Sequence, residues 1–146
     1  MRSTMSLKSQ KKRKIRKIRR LKIDADVTKI LRTVSDQEAF YFYEGIGKPT
    51  GESAKSLPDF LRKIDSVKQE SLLFHLQRKD FQNWIRNTLG DCKLAKEIAG
   101  ISSSRSDNLK KRIHITVENR VKELQEASLT LSISENLTVT SSSSTS

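Results

Sequence analysis

From Ser56 to Leu124 the large apolar residues of this chain return every third or fourth position, the period of α-helices with one buried face. Ser56 with Asp59, and Ser66 with Gln69, have the S-x-x-D and S-x-x-Q spacing of capping boxes, which predicts helices near 57–64 and 67–78. Asp80 is placed to cap a third helix in which Phe81, Trp84, Ile85 and Leu89 share a face, with Gly90 as its left-handed stop. Asp91 caps a short fourth helix carrying Leu94, Ala95 and Ile98 and stopped by Gly100. After the Ser102 to Ser104 linker, Leu109, Ile113, Val117, Val121 and Leu124 predict a longer final helix from about Ser106 to Ala127.

The period changes on either side. Upstream, Val27, Ile30, Leu31 and Val34 predict a short amphipathic helix ended by Ser35-Asp36. Ala39 to Tyr43 is the best strand in the chain, a run of aromatics closed off by Gly45, Gly47, Pro49 and Gly51, which read as a turn. It fits either a buried strand or one arm of a small hairpin. Downstream, Leu129, Leu131, Ile133, Leu137 and Val139 alternate with hydroxyl and amide residues, a strand pattern that buries little area, so a flexible Ser/Thr-rich tail is the preferred expectation. The resulting architecture is mainly α with a short aromatic strand or hairpin. Residues 1–23 are an arm, 24–127 a compact multi-helix domain, and 128–146 a flexible or strand-forming tail.

Charge sharpens this division. The first 22 residues hold eleven Lys or Arg and no acid, so they supply all but one of the net +12, while the rest of the chain carries eighteen bases against seventeen acids. Nine of these cations, Lys11, Lys12, Arg13, Lys14, Arg16, Lys17, Arg19, Arg20 and Lys22, lie in one run of twelve residues, interrupted by Ile15, Ile18 and Leu21. Like charges one helical turn apart repel, so the arm is expected to be disordered when free and helical against a partner that neutralises it. Such a run points to a polyanion: DNA, RNA or a ribonucleoprotein first, an anionic membrane surface or an acidic protein second. No secretory signal follows the basic run, Met5 is an alternative start, and a cytoplasmic setting is expected.

Candidate chemistry in the body is sparse. His75, Asp80 and Trp84 are the one group that suggests a pocket, although a cap, a core indole and a histidine bonded to nearby backbone explain the same residues. Cys92 and His114 suggest a nucleophile and a base, but Cys92 falls in the first turn of a short helix, where a half-buried structural residue is expected. Gly45 to Gly51 lacks the G-K-[ST] ending of a phosphate loop, and one cysteine with two histidines makes a poor metal site. No cofactor fingerprint is present, and a non-enzymatic binding protein is the expectation. The alternative is a protein-interaction or regulatory adaptor that uses the helical body, the arm being secondary.

The stretch from Phe40 to Ile98 is similar to an archaeal family of small proteins described only as a domain of unknown function. The resemblance rests on the aromatic strand Phe40 to Tyr43, the G-x-x-T-G turn Gly47 to Gly51 and the S-L-x-x-F helix Ser56 to Phe60. It continues through F-H-x-x-x-x-D-F-x-x-W at Phe74 to Trp84, then Leu89-Gly90-Asp91 and Leu94-Ala95. The final helix through Leu124 also looks like the family's charged C-terminal helix. The resemblance implies an archaeal, cytoplasmic origin and a shared fold, and brings no activity, cofactor or site with it. The basic arm and the serine-rich tail depart from the simpler members.

Overall fold

A computed structural model of the chain describes residues 26–104 and 107–143, with side chains to Thr130. The arm and its nine candidate cations, Lys11 to Lys22, lie outside the described residues. The domain is mainly helical and carries one two-stranded antiparallel sheet. Helix α1 covers 26–31, β1 Phe40–Gly45 and β2 Lys48–Ala54; α2 is Leu57–Ser66, α3 Gln69–Arg78 and α4 Asp80–Asn83. The last runs directly into a π-helical segment, Trp84–Leu89, followed by α5, Cys92–Ala99, and α6, Leu109–Ser143. A single cluster of 24 buried apolar residues, from Val27 on α1 to Leu124 on α6, joins every element.

The first helix ends earlier than its periodicity suggests. Val34 lies in the following loop, still buried, and its N–H bonds to the Lys55 carbonyl (2.7 Å). Arg32 ends the helix by donating to the Lys29 carbonyl (2.6 Å) and to the Thr88 carbonyl (2.7 Å), placing one cation at two helix C-termini where carbonyls lack partners.

The aromatic strand is one arm of a hairpin. Phe40 and Phe42 face the core while Tyr41 and Tyr43 face outward, as pleating requires. Only Ile46 and Gly47 form the turn, with Gly47 at φ 72°, so the expectation that Gly45 to Gly51 is all turn fails: Lys48 to Gly51 already belongs to β2. A two-stranded sheet leaves both strands at an edge, where Pro49 is tolerated without its missing N–H. The register slips on both sides of Tyr43. Thr50 bridges the irregularity, its hydroxyl donating to the Phe42 carbonyl (2.9 Å) and accepting from Glu52 N–H (3.1 Å).

Ser56 caps α2, accepting from Asp59 N–H (3.2 Å), and buries Leu57, Phe60 and Ile64. The second capping box does not form. Helix α2 runs through Ser66, whose hydroxyl donates backward to the Lys63 carbonyl (3.1 Å), and α3 starts after Lys68 without a side-chain cap. Asp80 is not a cap either. Lys79 occupies the left-handed region (φ 65°) between the two helices, which makes Asp80 the first residue of α4 and leaves its carboxylate free to fold back. The predicted face of Phe81, Trp84, Ile85 and Leu89 is buried, although the backbone widens to π-helical winding over Trp84–Leu89 before Gly90 stops it at φ 87°. Pairwise spacing of four holds Phe81, Ile85 and Leu89 on one side of this segment.

Asp91 caps α5 as expected, its carboxylate accepting from Leu94 N–H (3.1 Å). It also grips Arg120 of α6 in two bonds of 2.8 and 3.1 Å, with the side chains only 1% and 13% exposed. Leu109, Ile113, Val117, Val121 and Leu124 bury one face of α6. The strand pattern after Ala127 is not realised, since the helix continues to Ser143. Extending an existing helix adds one backbone bond per residue, whereas a strand needs an edge to join.

The Asp91 pair is expected to hold α5 against α6. Asp91→Ala removes the cap and leaves Arg120 with only the half-exposed Glu123 carboxylate (3.2 Å) as partner, which should cost about 2 kcal/mol or more in urea denaturation, and Asp91→Asn, which retains a cap, should cost less.

Candidate functional site

The two halves of the sequence motif F-H-x-x-x-x-D-F-x-x-W come together only in part. His75, on the face of α3 that packs against β1, is buried among aromatic rings, its own ring 4.8 Å from that of Phe40 and 5.5 Å from that of Phe81. The left-handed turn at Lys79 returns Asp80 to it, so that Nδ1 of His75 lies 2.8 Å from the Asp80 carboxylate. Its Nε2 lies 2.8 Å from the backbone N of Tyr43. A backbone N–H can only donate, so Nε2 accepts and the ring proton sits on Nδ1, donated to Asp80.

This arrangement gives His75 a clear task. The N–H of Tyr43 points away from β2 with no strand to receive it, and the imidazole satisfies it. Burial pushes the His75 pKa below its ordinary 6.5, an effect that the hydrogen bond and negative charge of Asp80 oppose and the charge of Arg78 assists. A His-Asp pair of this length resembles a catalytic dyad, yet the nitrogen that would take a substrate proton is spent on the main chain. The sequence expectation of a histidine bonded to nearby backbone holds, although the backbone belongs to another element.

Trp84 is not part of this group. It packs across Phe40 at 5.7 Å, inside the core, and its indole N–H donates to the Glu38 carbonyl (2.8 Å). Cys92 is exposed at the start of α5 rather than half-buried, and His114, on α6, meets carboxylates instead, Nε2 lying 2.6 Å from Glu118 and Nδ1 3.0 Å from Asp65. Neither histidine faces a cysteine. Among the described residues no group of three His, Cys, Asp or Glu side chains is placed to hold a metal ion.

Beside His75 and Asp80 lies an open groove of about 460 Å³ between β1, its turn and the C-terminal half of α3. Tyr41, Tyr43, Ile46, Phe74 and Arg78 line it. Arg78 stands over the Phe74 ring with its guanidinium carbon 5.0 Å from the centroid, and its Nε lies 3.3 Å from Asp80. Sequence reasoning passed over these residues. The signals were there: alternation puts Tyr41 and Tyr43 on the face opposite Phe40 and Phe42, and Phe74 and Arg78 stand one helical turn apart.

No protein-family model, no curated protein and no solved structure matches the chain. The functional reading therefore rests on the residues themselves. Among the described residues no helix is long and apolar enough to cross a membrane.

The His75 environment makes a pH prediction. The folded protein keeps His75 neutral where the unfolded chain already binds a proton, so its contribution to stability is complete above about pH 6.5 and is lost as pH falls toward the lowered folded value. An NMR titration of the ring should give a midpoint below 6.5, with the Tyr43 amide losing exchange protection over the same range; a midpoint above 6.5 contradicts the assignment.

Proposed function

We propose that this is a non-enzymatic binding protein whose basic arm engages nucleic acid or a ribonucleoprotein without strong sequence specificity. The observation that carries the reading is the segregation of charge: eleven cations and no acid in the first 22 residues, against a body that is nearly neutral. Among the described residues, eight of the body's cations pair with acids of the body itself. Lys55 pairs with Asp36, Lys63 with Glu52, Lys93 with Glu123, Lys122 with Glu118, and Arg120 with Asp91. Phosphate neutralisation and counterion release then fall mainly to the arm, where the cations are densest, which gives affinity but reads no bases. A cytoplasmic setting, with its reducing thiol chemistry and the single Cys92, belongs to the same reading. Anionic membrane or an acidic protein would answer to the same charge, with Ile15, Ile18 and Leu21 as the apolar positions of a surface helix.

The adaptor reading has one observation in its favour. Helix α6 continues to Ser143, past Leu124, the last buried residue among the described side chains, and Leu129 on that extension is 62% exposed. A partner that survives both nuclease treatment and removal of residues 1–22 would favour it.

Binding of duplex DNA by the full chain, measured by electrophoretic shift over a salt series, tests the leading proposal. If about half of the arm's cations meet phosphates, log affinity should fall against log salt with a slope of about −5. Deleting residues 1–22 should abolish the shift, and no shift at low salt overturns the proposal.

A further inference from the structure

We propose that the groove between β1 and α3 is a stacking site for a base of single-stranded nucleic acid. This rests on the nucleic-acid reading above and gives the folded body a part in it. The groove is lined by rings that a soluble domain would otherwise bury: Tyr41 is 48% and Tyr43 37% exposed, and Ile46 at the hairpin tip is 84% exposed. Phe74 adds a third aromatic ring and Arg78 a planar cation lying over it. Aromatic faces together with guanidinium planes are the surfaces on which unpaired bases stack. The volume, about 460 Å³, lies in the range of sites for small planar ligands.

Part of the groove is fixed before any ligand arrives. The Tyr41 hydroxyl donates to the Asp36 carbonyl, and the Tyr43 backbone is fixed by His75, which is itself fixed by Asp80. The Tyr41 ring therefore has less side-chain freedom to lose on binding. The same bonds argue against an extended peptide joining the sheet here, because the outward N–H of Tyr43 is taken and α3 packs along β1. The rim also suits a polyanion. The Asp80 charge is met by Arg78 and that of Glu44, beside Tyr43 and Gly45, by Lys68, while exposed Lys48 and Lys79 adjoin the lining residues Gly47, Arg78 and Asp80. Bases within a duplex are already stacked on one another, so this groove can accept only an unpaired one.

The test uses the full chain with a fluorescent single-stranded RNA of about ten nucleotides, the matching duplex, and AMP as a ligand too small to need the arm. Tyr43→Ala and Tyr41→Ala are each expected to weaken single-strand binding about tenfold while leaving the salt slope and duplex binding unchanged, and Tyr43→Phe to bind like the parent. Arg78→Gln, at an exposed position, supplies a further variant should either alanine variant fail to fold, and is expected to weaken single-strand binding severalfold. Equal losses on duplex and single strand, or no loss in any groove variant, overturn the groove while leaving the arm reading intact. If neither oligonucleotide binds at low salt, the arm reading fails on its own. AMP-induced shifts of the Tyr41, Tyr43 and Phe74 amides then sustain the groove, and their absence overturns it. Shifts there on adding a tyrosine-rich peptide, with none on adding AMP, assign the groove to a protein partner and likewise overturn it.

Discussion

Phe40 and Phe42 on the inner face of β1 pack against Phe60 of α2, Phe81 of α4 and Trp84 of the π segment, with ring centroids mostly between 4.9 and 5.8 Å apart. An isolated two-stranded hairpin is at best marginally stable in water, so this one exists because the helices supply the surface its aromatic face needs. The rings also tie helices that are distant in sequence to a single strand. Most of the remaining structure follows from keeping that strand covered.

Covering one face of β1 with helices strands the polar groups along its edge. The Tyr43 N–H has no strand partner, and α3 answers with a buried imidazole whose proton is in turn accepted by Asp80. The Trp84 indole makes the same kind of repair at the Glu38 carbonyl. Pleating then turns Tyr41 and Tyr43 outward, and the helix that packs against β1 brings Phe74 and Arg78 beside them. The groove is thus a by-product of how the hairpin is held, and its rigidity comes from the same bonds. A neutral, doubly bonded histidine suits this positioning task better than proton transfer.

Charge is handled differently in the two parts of the chain. In the body, opposite charges meet, and the Asp91–Arg120 pair is drawn far enough inside to link α5 with α6. Burial works against the Arg120 charge, but the bonds and attraction from Asp91, helped by Glu123, outweigh it and hold its pKa above the ordinary value. The first 22 residues contain no acid of their own, and in the proposed function their charge is neutralised by the bound polyanion. Under the proposed function, affinity for polyanions and selectivity among them would be separable properties, one carried by the arm and the other by rings on the domain.

Much of the fold was legible in the residues because its causes are local. The helical periods of α2, α3, α5 and α6, the Ser56 and Asp91 caps and the Gly90 stop depend on neighbours within a turn or so, and each stands where the pattern put it, whereas Trp84–Leu89 widened to π-helical winding. Where two local rules competed, the sequence was ambiguous. Ser66 and Gln69 satisfied a capping pattern that the continuation of α2 overrode, and Gly47 to Gly51 had turn composition although only Gly47 was needed to reverse the chain. The alternation after Ala127 offered a flexible tail or a strand, and the helix continued instead, since each added residue gains a backbone bond within the helix itself. The sequence alone determined that the protein is a helical body behind a cationic arm, since periodicity and charge are properties of residues in order. Trp84 was already legible as a core indole, whereas only the tertiary structure decided that His75 would serve the Tyr43 backbone 32 residues away and that Tyr41, Tyr43, Phe74 and Arg78 would share one groove. Those outcomes depend on which elements pack together, and side-chain contacts across such distances leave no spacing in the chain to read.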